Sequence, residues 1–550
     1  MHKLVNVPFL WTIAAALFCL LPAQPQQRAS APRDVTRVKG YGTHFQTSER
    51  CVACHNGLTT SAGEDISIGI AWRTSMMGNA GRDPYWMAGV RREITDHAVA
   101  SQAIQDECAI CHMPMMRYEA RVAGGEGEVF AHLPPDPEKR SDQFSDDGVS
   151  CSVCHQITEQ GLGTRASFAG GFKIDETSKP GQRHEYGPFD ITAGHATIMR
   201  SSVSFEPRQN KKVIQSSELC ATCHTLLTSA LDAQGKVIGE LPEQVPYQEW
   251  LHSDYKETSS CQDCHMPRVK EDVPITSVFG EPRSGFSRHT FVGGNFFMQR
   301  ILNRFRNDLG IPAQPNEMDA AVNRTIAHLQ SEAAGVAIRN MNVAGDRVSA
   351  EIEVTNRGGH KLPTAYPSRR VWLHVTLRDR NGRVVFESGG LQPDGSIAGN
   401  DNDADSTRFE PHYSEITNPD QVQIYESVMA DANGRVTTGL LTALRFVKDN
   451  RLLPTGFDKR TATPDIAVHG EAETDADFNS GGDTVRYSMA AAGAQGPFRV
   501  EAELWYQPIA YRWAMNLNRY DATEPKRFVS YYGSLASSSG VILAHASATR

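Results

Sequence analysis

Three patterns of apolar residues follow one another along the chain. The first is a run from Phe9 to Leu21, broken only by Thr12, behind Lys3 and ahead of the small residue Ala23. It is shorter than the ~20 apolar residues of a spanning helix and reads as a secretory signal over residues 1–23, removed by cleavage. No later stretch reaches spanning length, so the mature chain is expected to have no transmembrane span. From about residue 35 to 310, short apolar clusters alternate with breakers such as Gly124-Gly125, Pro134-Pro135 and Gly170-Gly171, a pattern of short helices and loops. Helices are expected over Tyr85 to Ile104, from Arg300 onward, and over Asn316 to Ala334 with Asn316 as a cap. After about residue 336 the period becomes two. Val348, Ala350, Ile352 and Val354 alternate with polar residues, as do Val371, Leu373, Val375 and Leu377. Val485, Tyr487 and Met489 repeat the pattern, and Phe498 to Tyr506 repeats it again. Asn381-Gly382 before Val384-Val385-Phe386 signals a hairpin, and Pro525 to Ser537 reads as a last helix.

These patterns predict an α+β multidomain chain. Its parts are a signal peptide at 1–23, a loop-rich α-helical domain at 35–310, a helical linker at 311–338, and a β-rich, sandwich-like domain at 339–550 with a C-terminal helix. Composition changes little. The chain has 550 residues, 40% of them hydrophobic, which is ordinary for globular protein. Its 55 basic and 64 acidic residues give a net charge of −9, so no positive field favours nucleic acid.

Cysteine usage changes the picture most. There are 11 cysteines. Cys19 lies in the signal, and the other ten form five Cys-x-x-Cys-His motifs: Cys51, Cys54 and His55; Cys108, Cys111 and His112; Cys151, Cys154 and His155; Cys220, Cys223 and His224; Cys261, Cys264 and His265. Chance would supply roughly 0.01 such motifs in a chain of this composition. The spacing suits covalent haem c. Two thiols add to the two vinyl groups on one haem edge, and the following His ligates the iron from below. A disulfide framework does not require His after every second Cys. Five such motifs in an exported chain are also poor zinc logic. Residues 35–310 are therefore read as a pentahaem cytochrome c domain. The motif starts are separated by 57, 43, 69 and 41 residues, which is no solenoid period.

Each iron has a sixth position. Seven histidines outside the motifs lie in the mature N-terminal half: His44, His97, His132, His184, His195, His252 and His289. They suggest mostly bis-His ligation, which gives low-spin, low-potential electron-transfer haems. His97 lies on the expected helix before the second motif, His195 in a Gly-flanked loop, and His289 before Gly293-Gly294-Asn295. In the β-rich part His360 follows Gly358-Gly359 and precedes Lys361-Leu362-Pro363, and His412 follows Pro411; each could reach a haem. The candidate distal ligands are thus His97, His195, His289, His360 and His412. Met76 and Met77 are read as core. Met113 and Met266 follow proximal histidines and should pack against the rings. Asp401, Asp403 and Asp405 could bind calcium but lack the Gly and Glu of a helix–loop–helix site, so a solvated loop is preferred.

The chain resembles bacterial multihaem c-type cytochromes of the cytochrome c-554 type. The resemblance rests on Trp72 with Met76-Met77, Arg82-Asp83-Pro84, Glu107-Cys108 through Met113-Pro114, Gly148 through Cys151, and Ser217 through Cys220. It continues through Glu249-Trp250, Cys261 through Pro267, Arg288-His289, Gly359 through Thr364, and Lys448 through Arg451. It implies a periplasmic or surface-exposed electron carrier with closely packed haems, and raises His289 and His360, and less strongly His412, as axial ligands. Pentahaem nitrite reductases replace one motif His by Lys, whereas all five here are His. Hydroxylamine-oxidising relatives carry a cross-linked Tyr with no identifiable equivalent here.

The expected function is relay of single electrons between redox partner proteins in the periplasm or at the cell surface, with five haem c groups as cofactors. The alternative is an oxidoreductase acting on a small nitrogen or sulfur compound at one open haem. A third reading makes the β-rich domain a docking module. Losing Lys3 brings the net charge to −10, and about ten haem propionates would add to it, favouring partners with basic faces.

Overall fold

In the computed structural model, which describes residues 44–491 and 493–550, the first half of the chain is a succession of short helices that present the cysteine motifs. Among them are α1 (Ser48–Val52), α3 (Ser101–His112), α4 (Cys151–Cys154), α5 (Ser217–His224) and α7 (Cys261–His265), which carry the motifs, and, between and after them, α2 (Pro84–Asp96), α6 (Pro246–Leu251), α8 (Phe296–Arg304) and α9 (Pro315–His328). The signal segment and Cys19 lie outside the described residues. The helix expected over Tyr85 to Ile104 is two. Asp83 caps α2 by accepting from Tyr85 N and Trp86 N, with Pro84 in the first turn, where its missing N–H costs nothing. Helix α2 stops at His97, a single 3-10 turn follows, and α3 starts afresh. The break lets the two helices bury different faces: Met87, Ala88 and Val90 from α2, Ile104 and Ala109 from α3. Helix α9 begins earlier than expected. Gln314, not Asn316, is its cap, in a reciprocal box with Glu317 and with Pro315 in the first turn.

A hairpin of β1 (Leu226–Leu231) and β2 (Val237–Gln244) follows the fourth motif. Beyond α9 the chain turns to strands, and besides a small three-stranded sheet of Ser427–Ala430, Val436–Thr437 and Arg445–Asp449 two main sheets are built from β3 (Ala334–Ala344), β4 (Arg347–Asn356), β5 (Arg370–Arg378), β6 (Val384–Ser388), β7 (Glu415–Ile416), β8 (Ile424–Tyr425), β9 (Gly482–Ala490), β10 (Arg499–Gln507) and β11 (Val541–Thr549), with α10 (Thr523–Leu535) between the last two. One sheet has the order β3-β4-β9-β7. The other has β8-β5-β10-β11, with β6 on β5 through the expected hairpin. Inward residues of both sheets share one core: Ile352, Val354, Val485 and Tyr487 from the first, Leu373, Val375, Val500 and Leu504 from the second. Strand β11 carries no clear alternating signal, because half of its apolar positions are alanines and only Leu543 is buried.

The core does not stop at the sheets. Phe296, Phe297 and Ile301 of α8, Met318 of α9, Ala88 of α2, and Leu241 and Val245 around β2 belong to the same buried cluster. Residues 44–550 accordingly lie in one compact unit, and loops leaving the sheets reach the motif-bearing helices.

Candidate functional site

Each motif lies on or beside one helical turn. In the first and third, the His N–H donates to the carbonyl of the first Cys, at 3.2 Å for His55 and 3.1 Å for His155. In the fifth, Ser260 and Asp263 form a reciprocal cap around the first turn of α7. One turn brings both sulfurs to the same side with the His following under them. All ten cysteines and all five motif histidines line a single connected cavity of about 1490 Å³. None of the ten thiols is in a disulfide.

The motifs do not adjoin in chain order. The thiols of Cys51 and Cys151 are hydrogen-bonding neighbours, as are Cys111 with Cys223 and Cys220 with Cys261. Cys154 is within electrostatic reach of Cys223. The first motif therefore meets the third, the third meets the fourth, and the second and fifth both attach to the fourth.

The motif imidazoles are oriented by backbone carbonyls. His55 Nδ1 lies 2.6 Å from Ile275 O, His155 Nδ1 2.6 Å from Tyr186 O, His265 Nδ1 2.5 Å from Val292 O, and His112 Nδ1 3.2 Å from Ala80 O. A carbonyl can only accept, so Nδ1 carries the proton and the Nε2 lone pair is left for a metal. Trp86 stacks on the His112 ring at 4.3 Å between centroids and fixes its plane. Burial favours the neutral ring, lowering the pKa of His112 and of His265 to about 4 and that of His155 and His224 in the same direction.

Two of these histidines face a second imidazole. His289 lies opposite His155 with ring centroids 6.4 Å apart and planes 14° from parallel. His360 lies opposite His265 at 6.2 Å and 16°. Two imidazoles bonded at about 2.0 Å to opposite faces of one metal would have centroids about 6.3 Å apart, so both pairs fit bis-His ligation. Their Nδ1 atoms lie 3.0 Å from Ser287 O and Lys361 O respectively, which again leaves Nε2 for a metal.

The loop that carries His360 is held by buried charge. Glu249 Oε2, on α6, accepts from Lys361 N at 3.1 Å and Thr364 Oγ1 at 2.5 Å. Arg451 Nη1 lies 2.9 Å from Glu249 Oε1, an ion pair whose angle falls short of a hydrogen bond. Arg451 also donates twice to Asp449, which accepts Lys361 Nζ at 2.8 Å. Lys361, Asp449, Arg451 and Glu249 are all buried. The two cations hold the Asp449 carboxyl far below the usual carboxylate range. Gly359 packs closely here: a Cβ would stand 3.2 Å from Tyr255 and 3.4 Å from Trp250, and those rings would have to give by a few tenths of an ångström.

The other three distal candidates stand elsewhere. His97 lies 3.3 Å from Thr442 Oγ1, His195 is half-buried between Thr192 Oγ1 and Phe279 O, and His412 is buried in the sandwich; none of the three lines the cavity. His412 comes together with Asp475 and Asp483 in a cluster of metal-ligand type. Its Nδ1, however, accepts from Gln423 Nε2 at 3.0 Å and Asn450 Nδ2 at 3.1 Å. Both amides are fixed, because their oxygens accept Tyr413 N and Glu426 N. The proton therefore sits on Nε2, facing the carboxylates, which disfavours a cation at that nitrogen. His328, overlooked in the sequence, does line the cavity, with Thr325, Leu329 and Glu332. That i, i+3, i+4, i+7 spacing is a helix face and was the available signal. Met76, Met77 and Met266 also line the cavity, whereas Met113 is buried beside it. His44, His132, His184 and His252 do not line it.

The calcium reading of the acidic loop does not stand. Asp403 is buried in a two-point bond with Arg370 at 2.9 Å, Asp401 pairs with Arg408, and Asp405 holds Thr407. Each carboxylate is already engaged, and they do not converge.

No protein-family model matches this chain, and no curated protein is similar to it. Among solved structures the chain is similar to that of a penta-haem cytochrome c552 from Thermochromatium tepidum, with a TM-score of 0.53 and 15% identity, over 92% of this chain and 99% of that one. The similarity is one of fold.

Proposed function

We propose that this chain is a multihaem c-type cytochrome that holds five haem c groups and relays single electrons between redox partners outside the cytoplasm. The observation that carries the reading is the cavity wall. Ten thiols and five motif imidazoles, four of them with Nδ1 on a backbone carbonyl, surround one space, and two further imidazoles face it at the spacing of axial ligands. When bound, each haem would supply a reversible one-electron change at iron. The chain's residues do the rest. Cysteines anchor the edges, carbonyls set the tautomers, and thiol adjacency sets the neighbour order: first, third and fourth motif, with the second and fifth branching from the fourth. The fold shared with a penta-haem cytochrome supports the reading. No described helix is long and apolar enough to cross a membrane.

Purified from a host that attaches haem c, the protein should carry five haems per chain by pyridine haemochrome assay, and a Cys151→Ala/Cys154→Ala variant should carry four. A chain with bound zinc or no covalent haem would overturn the reading.

One observation favours the oxidoreductase alternative. Among the described residues only His289, His328 and His360 line the cavity outside the motifs, so at least two of five irons lack a distal His. A high-spin component with nitrite or hydroxylamine turnover would select that alternative.

A further inference from the structure

The cavity wall beside Cys108 carries groups that electron relay does not use. Glu93 from α2, Glu243 from the end of β2, and the hydroxyls of Tyr85 and Tyr366 all line it. Glu93 is 4% and Glu243 5% exposed. The carboxyls feel one another, and the Cys108 thiol and Tyr366 hydroxyl each feel both.

The two acids are held differently. Glu93 Oε1 accepts Leu440 N at 2.9 Å and Glu93 Oε2 accepts Leu441 N at 3.3 Å, and Arg92 Nε lies 3.9 Å away. Burial raises its carboxyl, and the Arg92 cation and the two N–H groups oppose that shift. Glu243 accepts from Thr228 Oγ1 at 2.5 Å, and no ion pair reaches it among the described residues. Burial, with the neighbouring Glu93 charge, pushes its carboxyl up to about 7. It is thus a buried carboxyl that gains or loses its proton near neutrality, without a cation to hold the charged form.

We propose that Glu243, with Glu93 as its partner, is the proton-loading site of the redox group held by Cys108 and Cys111. Glu243 takes up one proton from water as that group accepts one electron from the adjoining site at Cys220 and Cys223, and returns it on re-oxidation. Charge balances, because one electron and one proton enter together and leave together. The physical cause is Coulombic: an electron added in a low-dielectric cavity makes a nearby carboxylate harder to keep ionised. The groups facing Glu243 are Glu93 and, beyond it, Arg92 from α2, Cys108 from α3, Thr228 from β1 and Tyr366 from the loop before β5. Glu107, exposed just before Cys108, is the competing carboxyl. The inference rests on the haem reading above.

The test is spectroelectrochemical titration of the haem-loaded protein between about pH 5.5 and 8.5. One component should fall by up to about 59 mV per pH unit, a tenfold change per unit in the reduction equilibrium. Glu243→Gln should flatten that component alone, and Glu107→Gln should leave it sloping. A slope that survives Glu243→Gln, or one spread over all components as propionates would give, overturns the proposal. If Glu243→Gln does not load haem, Thr228→Val provides the second measurement. Loss of the hydroxyl should move the sloping window to higher pH, and an unmoved window overturns the proposal. A haemochrome count that Cys108→Ala/Cys111→Ala leaves unchanged would instead overturn the haem reading.

Discussion

Glu249→Ala tests whether buried charge seats the His360 loop. The side chain is fully buried and receives Lys361 N and Thr364 Oγ1 on one oxygen, with Arg451 beside the other. Hydrogen bonds to a charged group contribute about 1.5–3 kcal/mol each. Losing the two that tie down residues 361 and 364 would remove about 3–6 kcal/mol before relaxation. Breaking a buried ion pair usually costs about 3–5 kcal/mol, but Arg451 keeps both bonds to Asp449, so that cost falls at the lower end. We expect the seat of His360 to weaken by about 3 kcal/mol, roughly a hundredfold at 1.4 kcal/mol per decade. The assay is a redox titration of the haem-loaded protein with added imidazole. One component should shift, and imidazole should bind that site roughly a hundredfold more tightly than in wild type. Glu249→Gln keeps an acceptor for Lys361 and should fall between. The reasoning fails if Glu249→Ala overlays wild type at every component while His360→Ala moves one.

Four further outcomes follow from the geometry. His289→Ala and His360→Ala should each alter the spectrum and potential of one haem, and a different one. His412→Ala should leave all components in place but lower stability by about 2 kcal/mol, because two buried amide donors lose their acceptor; a shifted potential would return His412 to the ligand set. Asp483, pushed up to about 7 mainly by burial, should make stability pH-dependent. The unfolded carboxyl releases its proton near pH 4 and the folded one near 7, so its contribution is full below 4 and is lost as pH rises to about 7. Asp483→Asn should flatten that fall in the melting midpoint, and an unchanged slope would place the effect elsewhere. Finally, Asp403→Ala should destabilise by about 3–5 kcal/mol through the orphaned Arg370, and calcium should not raise the melting midpoint of wild type; a rise with calcium would restore the cation site.

The distal ligands show how far reading along the chain could go. His289 and His360 were visible through their Gly-rich, loop-forming neighbours, and both face a motif imidazole. His195 has a similar Gly-flanked setting and His97 stands on an expected helix, yet their rings meet Thr192, Phe279 and Thr442 instead. Loop composition says that a side chain can project, not where it lands. His412 turned inward because Gln423 and Asn450, from other parts of the sandwich, supply its acceptor site with two donors. His328 carries no loop signature, and only the packing of the helix face it shares with Thr325 and Glu332 brings it to the cavity.

What the sequence by itself determined is local. Cys-x-x-Cys-His dictates its own geometry, since a single helical turn relates its three side chains whatever surrounds them. The change from helical spacing to alternation likewise marks where strands begin, because each period is a property of a single element. What only the tertiary structure decided is everything that needs two distant segments in register: that the first motif adjoins the third and not the second, that His360 crosses to His265 on a loop tied to α6 by Glu249, and that Glu243 stands unpaired beside Glu93. These depend on long-range packing and on buried charges finding partners far away in the chain, and no local pattern encodes which partner is found.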